Sequence, residues 1–409
     1  MSQKAVVIVI VIVTKLYDCF IVWLSQLSRY NPIPPCVADV YDSRAYRLHL
    51  FYQTEKKRLA LYQSAQSFTV DLILLLFNVH ALFAGLFGSN TWVQMFAVVL
   101  LNSFTELIRI PTQYYDTMVI EQRYGFNRTT VRTFTADRIK EYILELATGL
   151  AIGSLLLWLH RTFGDWLILL FTGIAMLVIL FIFMLYPFLS RLFHSFKPLE
   201  DGELKDRLTA LLQRNGYRVR AIRVMDASRR STKANAYFAG FGKAKTIVLY
   251  DTLLELLTPD EITAVFAHEL GHGLHKDMLK THLMSLLTTL LIGFFAWITL
   301  RSPDLFRAFG FEEINYGFAV YIMLSVEFEL VSSFLALIIT RINRGAEYRA
   351  DAFAVRQGYG NELISALKKL ARRNFSDLAP SRLLVALTYS HPPLAQRIEA
   401  ILVQQSHVP

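Results

Sequence analysis

Five consecutive residues, His268-Glu269-Leu270-Gly271-His272, combine two side chains that bind zinc with one that accepts protons. Two histidines four residues apart on a helix project from the same face and can share one metal ion. A glutamate between them lies beside that ion, where it can deprotonate the attacking water. The motif therefore predicts zinc-dependent hydrolysis with Glu269 as general base. The alternative is a pair of ordinary histidines on a helix surface.

The segment Thr258-Pro259-Asp260-Glu261 predicts the start of the helix that carries this motif. Threonine before a proline, with glutamate at the third helical position, is typical of a capping box, in which the two side chains satisfy free backbone N–H groups. The apolar residues that follow at helical spacing are Ile262, Val265, Phe266 and Leu270. The histidines are therefore expected on a packed and rigid helix.

A catalytic zinc ion needs a third protein ligand and an open position. His275 lies seven residues after His268, which is about 10 Å along a helix and too far for the same ion. Glu347 fits better, because Asp351 follows it by one helical turn and could accept the free ring N–H of a ligating histidine. The alternative is that both are solvated helix carboxylates.

Composition indicates a membrane protein. Hydrophobic residues make up 54% of the 409 residues and charged residues 18%, with a mean hydropathy of +0.37, which is too apolar for a soluble chain of this length. Runs of spanning length predict about seven transmembrane helices. They lie near residues 5–24, 68–88, 93–110, 142–160, 165–188, 281–300 and 316–340.

Lysine and arginine are concentrated in alternate loops, and the loops between them carry few basic residues. Because cytoplasmic loops are enriched in these residues, the pattern predicts a cytoplasmic catalytic region and an N-terminus on the outside. The net charge of +9 is then explained by loops beside anionic lipid, and we expect the lipid bilayer and no nucleic acid as a partner.

The fold class is predicted to be mainly α, a polytopic membrane protein with a small α+β metalloprotease region on the cytoplasmic side. Residues 1–190 form an N-terminal membrane portion with about five spans, and residues 191–280 a small sheet and the metal helix. Residues 281–340 form a two-span hairpin that returns the chain to the side it left, and residues 341–409 form helices that include Glu347.

Two further segments are candidates for contact with a substrate. Asn235-Ala236-Tyr237 could be an exposed edge strand that holds a peptide extended by backbone pairing, or an ordinary strand of the small sheet. His391 and Arg397 could stabilise the oxyanion of a tetrahedral intermediate, or they could be a helix cap and a solvated arginine.

The motifs together resemble the type I CAAX prenyl protease family. They are His268-Glu-Leu-Gly-His272, Glu347-x-x-x-Asp351-Ala-Phe-Ala, Asn235-Ala-Tyr-Phe, Leu249-Tyr-Asp-Thr-Leu253, His391-Pro-Pro-Leu-x-x-Arg397 and Tyr124-Gly-Phe-Asn-Arg128. The resemblance implies seven spans around a chamber and removal of the last three residues of a prenylated C-terminus.

The same resemblance implies specific roles for these residues. One zinc ion per chain would be bound by His268, His272 and Glu347, with Glu269 as base and Asp351 behind the ligands. Asn235, His391 and Arg397 would contact the substrate or the transition state. The expected partner is a peptide or protein substrate, lipidated or not.

Three other classes are alternatives to this one. A site-2-type intramembrane protease would place its motif inside a span, whereas charged residues such as Asp260 and Lys276 lie at the ends of the metal helix. An HtpX-like quality-control protease shares the metal motifs but typically lacks so long an N-terminal membrane portion. A seven-span transporter or receptor with structural zinc would have no use for Glu269. The C-terminal residues carry no endoplasmic-reticulum retrieval signal, which favours a bacterial inner membrane over the endoplasmic reticulum membrane of a eukaryote.

Overall fold

A computed structural model describes residues 2–166, 169–178, 181, 193–239 and 246–407. The chain is mainly helical, as predicted. Among the described residues, six helical segments are long and apolar enough to cross a membrane. They are Gln3–Tyr30, Ser43–Leu76, Thr91–Glu121, Val131–Phe163, Leu279–Leu300 and Tyr316–Arg356.

The first half of the chain is almost entirely helical. Its helices are α1 (Gln3–Leu27), α2 (Ser43–Leu76), α3 (Val79–Gly85), α4 (Thr91–Leu107), α5 (Ile110–Tyr114), α6 (Val131–Phe163) and α7 (Leu169–Val178). A π-helical segment, Tyr115–Glu121, continues α5. The predicted span at 165–188 lies partly outside the described residues, which include only α7 and Phe181 from its apolar centre.

The second half alternates short and long helices. They are α8 (Glu203–Arg214), α9 (Asp251–Leu256), α10 (Pro259–Leu274), α11 (Asp277–Leu300), α12 (Pro303–Ala308), α13 (Tyr316–Tyr321), α14 (Phe328–Arg356), α15 (Gly360–Arg373), α16 (Arg382–Thr388) and α17 (Leu394–Gln405). A π-helical segment, Ile322–Glu327, joins α13 to α14 into one span.

The predicted span at 68–88 is divided in the structure. Helix α2 ends at Leu76 and Asn78 adopts a left-handed conformation with φ of 54° before α3 begins. Asparagine tolerates this conformation better than most residues. Lys4 stabilises the break, because its ammonium group donates to the Leu76 carbonyl at 3.0 Å and to Asn78 Oδ1 at 2.8 Å.

Polar side chains inside the spans bind one another across helices. The pairs are Lys15 with Glu329 (2.8 Å), Tyr321 with Asp71 (3.1 Å), His80 with Asn102 (2.9 Å) and Thr299 with Glu327 (2.8 Å). In a membrane such bonds replace the water that these groups would otherwise need. They join α1 to α14, α2 to α13, α3 to α4 and α11 to the π-helical segment.

A small sheet lies beside the metal helix. Its strands are β1 (Phe196–Pro198), β2 (Ala221–Met225), β3 (Ala236–Ala239) and β4 (Thr246–Tyr250), in the spatial order β1-β2-β4-β3. β2 and β4 are parallel, whereas β1 and β3 pair antiparallel with their neighbours. β3 is therefore an edge strand, and it contacts α10.

Helix α10 begins as its sequence predicts. The Thr258 hydroxyl accepts from the Glu261 N–H and the Glu261 carboxylate accepts from the Thr258 N–H, which confirms the capping box. Phe266 and Leu270 are fully buried in a core shared with the sheet and α15. The metal motif is thus carried by a helix that is packed on most of its circumference.

Candidate metal centre

The three predicted zinc ligands converge although they come from two helices. His268 and His272 lie on α10, and their Nε2 atoms are 3.2 Å apart. Glu347 on α14 places Oε1 3.4 Å from His272 Nε2 and Oε2 3.5 Å from His268 Nε2. Candidate ligand atoms of all three residues lie within 4.8 Å of one another.

The close approach of the two helices depends on Gly271 between the histidines. A Cβ atom at this position would lie 2.9 Å from the Ala350 Cα and 3.2 Å from the Phe353 Cβ. Backbone atoms cannot move aside as a flexible side chain can. Glycine at this position lets α10 and α14 come close enough for Glu347 to meet both histidines.

Each histidine ring is oriented by a carboxylate at its other nitrogen. His268 Nδ1 lies 2.8 Å from Asp351 Oδ1, and His272 Nδ1 lies 3.1 Å from Asp277 Oδ2. A ring whose Nδ1–H donates to a carboxylate carries its lone pair on Nε2. Both lone pairs then point to the space beside Glu347, as in metal sites with carboxylate-bound histidines.

Asp277 was not assigned a role from the sequence. It follows His272 by five residues, beyond a turn in which Lys276 is left-handed with φ of 55°, so helical periodicity does not relate the two side chains. Burial alone would raise the pKa of Asp277, but hydrogen bonds from Lys280, His272 and Arg349 lower it below its ordinary value. Asp277 therefore stays ionised as an acceptor for the His272 ring.

The chemistry of the cluster fits a zinc ion. Two nitrogen lone pairs and a carboxylate oppose one another unless a cation lies between them. Glu347 Oε2 is buried and accepts no hydrogen bond from the residues that the structure describes, with Arg397 Nη1 3.2 Å away. Two imidazoles and one carboxylate are the donor set of many catalytic zinc sites.

Arg397 and His391 each lie against a carboxylate of the site. Arg397 is 9% exposed, and its Nε and Nη2 donate to the two oxygens of Asp351 at 2.9 and 2.6 Å. His391 is 65% exposed, and its Nδ1 lies 2.8 Å from Glu347 Oε1. Arg397 thus fixes the acid behind His268, while His391 lies at the mouth of the site.

Glu269 lines the cavity beside both histidines. Burial raises the pKa of its carboxyl group above the ordinary value, and the neighbouring His268 and His272 offset only part of that rise. A glutamate with a raised pKa is a better proton acceptor during catalysis than a fully solvated one.

The site opens into a cavity of about 570 Å³. Ala236 and Tyr237 of the edge strand β3, and Asn235 directly before it, line the same cavity as His268 and Glu269. The structure therefore brings the predicted substrate strand, the predicted base and the predicted metal ligands to one space. This volume lies within the range of about 300–1,000 Å³ that is common for ligand sites.

The fold and the cluster define a class, a multi-pass membrane protein with a metallopeptidase-like centre. Residues 198–404 match the sequence model of peptidase family M48, and residues 6–194 match that of the CAAX prenyl protease N-terminal region, described as five membrane helices. The chain belongs to the CAAX prenyl protease family.

Individual relatives cover nearly the whole chain. It is 30% identical to "CAAX prenyl protease 1 homolog" of Homo sapiens and 30% identical to "CAAX prenyl protease 1" of Saccharomyces cerevisiae, in each case over 92% of this chain and 90% of the relative. The crystal structure of S. mikatae Ste24p aligns with a TM-score of 0.90 and 27% identity, covering 98% of this chain and 99% of that one.

Proposed function

We propose that this chain is a zinc-dependent membrane endopeptidase that hydrolyses peptide bonds near the C-terminus of prenylated peptides or proteins. The observation that carries the proposal is the convergence of His268, His272 and Glu347 beside Glu269 in a cavity lined by an edge strand. The printed names of the relatives support the substrate class. Residues 6–194 match the model of the CAAX prenyl protease N-terminal region, and this match favours a prenyl protease over a quality-control protease.

The chain's own residues supply binding, orientation and proton transfer. A zinc ion held by His268, His272 and Glu347 would polarise the scissile carbonyl and activate water. Glu269 takes the proton from the attacking water and passes it to the leaving amine. The edge strand β3 holds the peptide extended through backbone hydrogen bonds.

His391 completes the proposed mechanism. Its ring is at the mouth of the site and near the ligand carboxylate Glu347. A ring N–H in this position can donate to the carbonyl oxygen as negative charge develops on it. Arg397 acts through Asp351, whose carboxylate it holds against His268.

The proposal includes the orientation of the chain. The metal region and the C-terminal tail lie in the cytoplasm, the N-terminus lies outside, and the spans enclose a chamber that opens to the cytoplasm. A reporter fused after Pro409 should be cytoplasmic, and a tag before Lys4 should be accessible from outside. Finding both ends on one side would contradict an odd number of spans.

The decisive experiment compares the protein with its Glu269→Gln variant on a prenylated CAAX peptide and an unmodified one. We expect near-stoichiometric zinc in both proteins, and a loss of cleavage of about 10²- to 10⁴-fold or more in the variant, because only the proton acceptor is removed. The His268→Ala, His272→Ala double variant should lose zinc. Wild-type cleavage by Glu269→Gln, or full zinc retention in the double variant, contradicts the proposal.

A further inference from the structure

A second cavity, of about 310 Å³, adjoins the metal cavity on the membrane side. It lies between α11 and α14, the two antiparallel helices that connect His272 to Glu347. Thr281 and Asn343 line both cavities. The cleft is therefore a continuation of the site and not a separate pocket, and it runs from the metal cluster along the two helices into the spanning segments.

The walls of this cleft are more apolar than their sequence indicates. Met284, Ile292, Ile339 and Ile342 supply hydrocarbon side chains. Four hydroxyl residues of α11 also line it, and each donates to the backbone carbonyl four residues earlier in its own helix. They are Thr281 (3.2 Å), Ser285 (3.0 Å), Thr288 (2.9 Å) and Thr289 (2.9 Å).

These bonds determine what the cleft can bind. A hydroxyl group that already donates to its own helix has no proton to offer a ligand. The four hydroxyl groups are satisfied within α11, and Lys280, which also lines the cleft, donates to Asp277 at 2.7 Å. A long hydrocarbon that lies along these side chains would therefore displace none of these hydrogen bonds. A charged or hydrogen-bonding ligand would gain little there.

We infer that this cleft binds the isoprenyl chain of the substrate, an inference that rests on the proposed function. The cysteine that carries the isoprenyl group precedes the scissile bond, so its sulfur lies about 3–4 Å from the reacting carbonyl carbon by ordinary bond lengths. The isoprenyl chain must therefore extend outward from the metal cavity itself. The cleft provides an apolar route that starts there, at Thr281 and Asn343.

The length of the cleft agrees with this occupant. Thr281 and Ile292 are eleven residues apart on α11, which is about 16 Å along a helix. A farnesyl group has a main chain of twelve carbons and extends about 14 Å when bonds of about 1.5 Å follow a zigzag. A farnesyl chain that enters beside Thr281 would thus end near Ile292.

The test is to narrow the cleft at mid-length and to vary the lipid. Thr288→Phe places a ring about 10 Å beyond Thr281. We expect kcat/KM for a farnesylated peptide to fall about 10-fold, mainly through KM, because the variant removes lipid binding and leaves Glu269 and the metal ligands in place. A geranylated peptide, with a shorter lipid, should lose less, and an unmodified peptide should change less than about 2-fold.

Two matched variants separate lipid binding from damage to the fold. Thr288→Val keeps the shape of the side chain and removes only a hydroxyl that bonds to its own helix, so the rates for all three peptides should stay within about 2-fold. Leu290→Phe adds a ring on another face of α11, where Leu290 is exposed, and it should not discriminate between lipids. Equal losses on all peptides in Thr288→Phe overturn the inference.

A binding measurement avoids reliance on a folded Thr288 variant. A peptide with a diazirine at the last isoprene unit, bound to the Glu269→Gln variant, should crosslink to residues 284–292 of α11 or 339–342 of α14. Crosslinks elsewhere overturn the inference and leave the proposed function intact. If the wild-type protein cleaves none of the three peptides, the proposed function fails and the inference fails with it.

Discussion

Helices α10 and α11 are separated by only two residues, His275 and Lys276, yet they are stabilised in different ways. α10 has 16 residues, 11 of which are buried, including His268 and Glu261. α11 has 24 residues, and only 28% of its most apolar stretch is buried within the protein. Both are rich in apolar residues, so apolar composition alone does not tell which helix is packed in protein.

The length of each helix explains why α10 is packed in protein and α11 is not. Sixteen residues extend about 24 Å, less than the hydrocarbon core of a bilayer, whereas 24 residues extend about 36 Å. A short apolar helix must bury its side chains in protein, while a long one can leave them to lipid. Substitutions on α10 should therefore affect stability and the metal site, and substitutions on the outer face of α11 should affect neither.

The largest expected contrast is between Leu270→Ala and Leu290→Ala. Leu270 on α10 is fully buried, and Leu290 on α11 is 48% exposed. Leu270→Ala should lower the free energy of unfolding by about 2–5 kcal/mol through lost packing and a cavity. Leu290→Ala should change it by less than about 0.5 kcal/mol, since lipid solvates either side chain.

Thermal unfolding in one detergent measures both variants. Equal destabilisation would mean that α11 is packed in protein as tightly as α10.

The next effect concerns the contact of α10 with α14. Gly271→Ala should force the two helices apart, because its Cβ would lie 2.9 Å from the Ala350 Cα. We expect a loss of about 1–3 kcal/mol in stability and weaker zinc binding, measured by competition with a chelator.

The control is Gly345→Ala on α14. A Cβ there would meet only Arg349 Nη1, at the ordinary distance of 3.5 Å. This variant should bind zinc normally and stabilise the helix by up to about 1 kcal/mol. Equal zinc affinities in the two variants would refute the packing role of Gly271.

The two carboxylates behind the histidines should have graded effects. Asp351→Asn and Asp277→Asn should each reduce zinc affinity or cleavage by about 10- to 100-fold. Asp351 should have the larger effect, because it is fully buried and its change also leaves Arg397 without its bidentate partner. Asp304→Asn, at an exposed position with Arg307 as partner, is the matched control.

The order of these two effects is informative. If Asp277→Asn loses more zinc affinity or cleavage than Asp351→Asn does, the start of α11 contributes more to the metal site than α14 does.

The smallest effect should come from Glu261, at the start of α10. Burial would raise the pKa of its carboxyl group, but bonds from Lys369, Ser365 and the Thr258 N–H lower it below its ordinary value. Its contribution to stability, about 0.5–1.5 kcal/mol by the usual net size of one hydrogen bond, is present above the ordinary glutamate pKa of 4.5 and is lost as the pH falls through the lower folded value.

Glu261→Gln should therefore lower the unfolding temperature at pH 7. The difference from the wild-type protein should shrink as the pH is brought below 4.5. A difference that stays constant from pH 7 to pH 3 would assign the effect to packing rather than charge.

Much of the local structure follows from the sequence. The capping box of α10, the spacing of His268 and His272, and the spacing of Glu347 and Asp351 all depend on helical periodicity, which acts over three or four residues. The apolar runs likewise predict most of the spans, because length and hydropathy decide whether a helix can cross a bilayer. The break at Asn78 was missed, since it depends on the contact of Lys4 with residues more than seventy positions away.

Only the tertiary structure decided which side chains surround the proposed metal ligands. Asp277 reaches His272 through a left-handed turn, Arg397 reaches Asp351 across 46 residues, and His391 reaches Glu347 from a separate segment. The cleft between α11 and α14 likewise exists only once the hairpin is packed. Periodicity within one helix cannot specify these contacts, because they depend on how closely helices approach, and that distance is set by packing at positions such as Gly271.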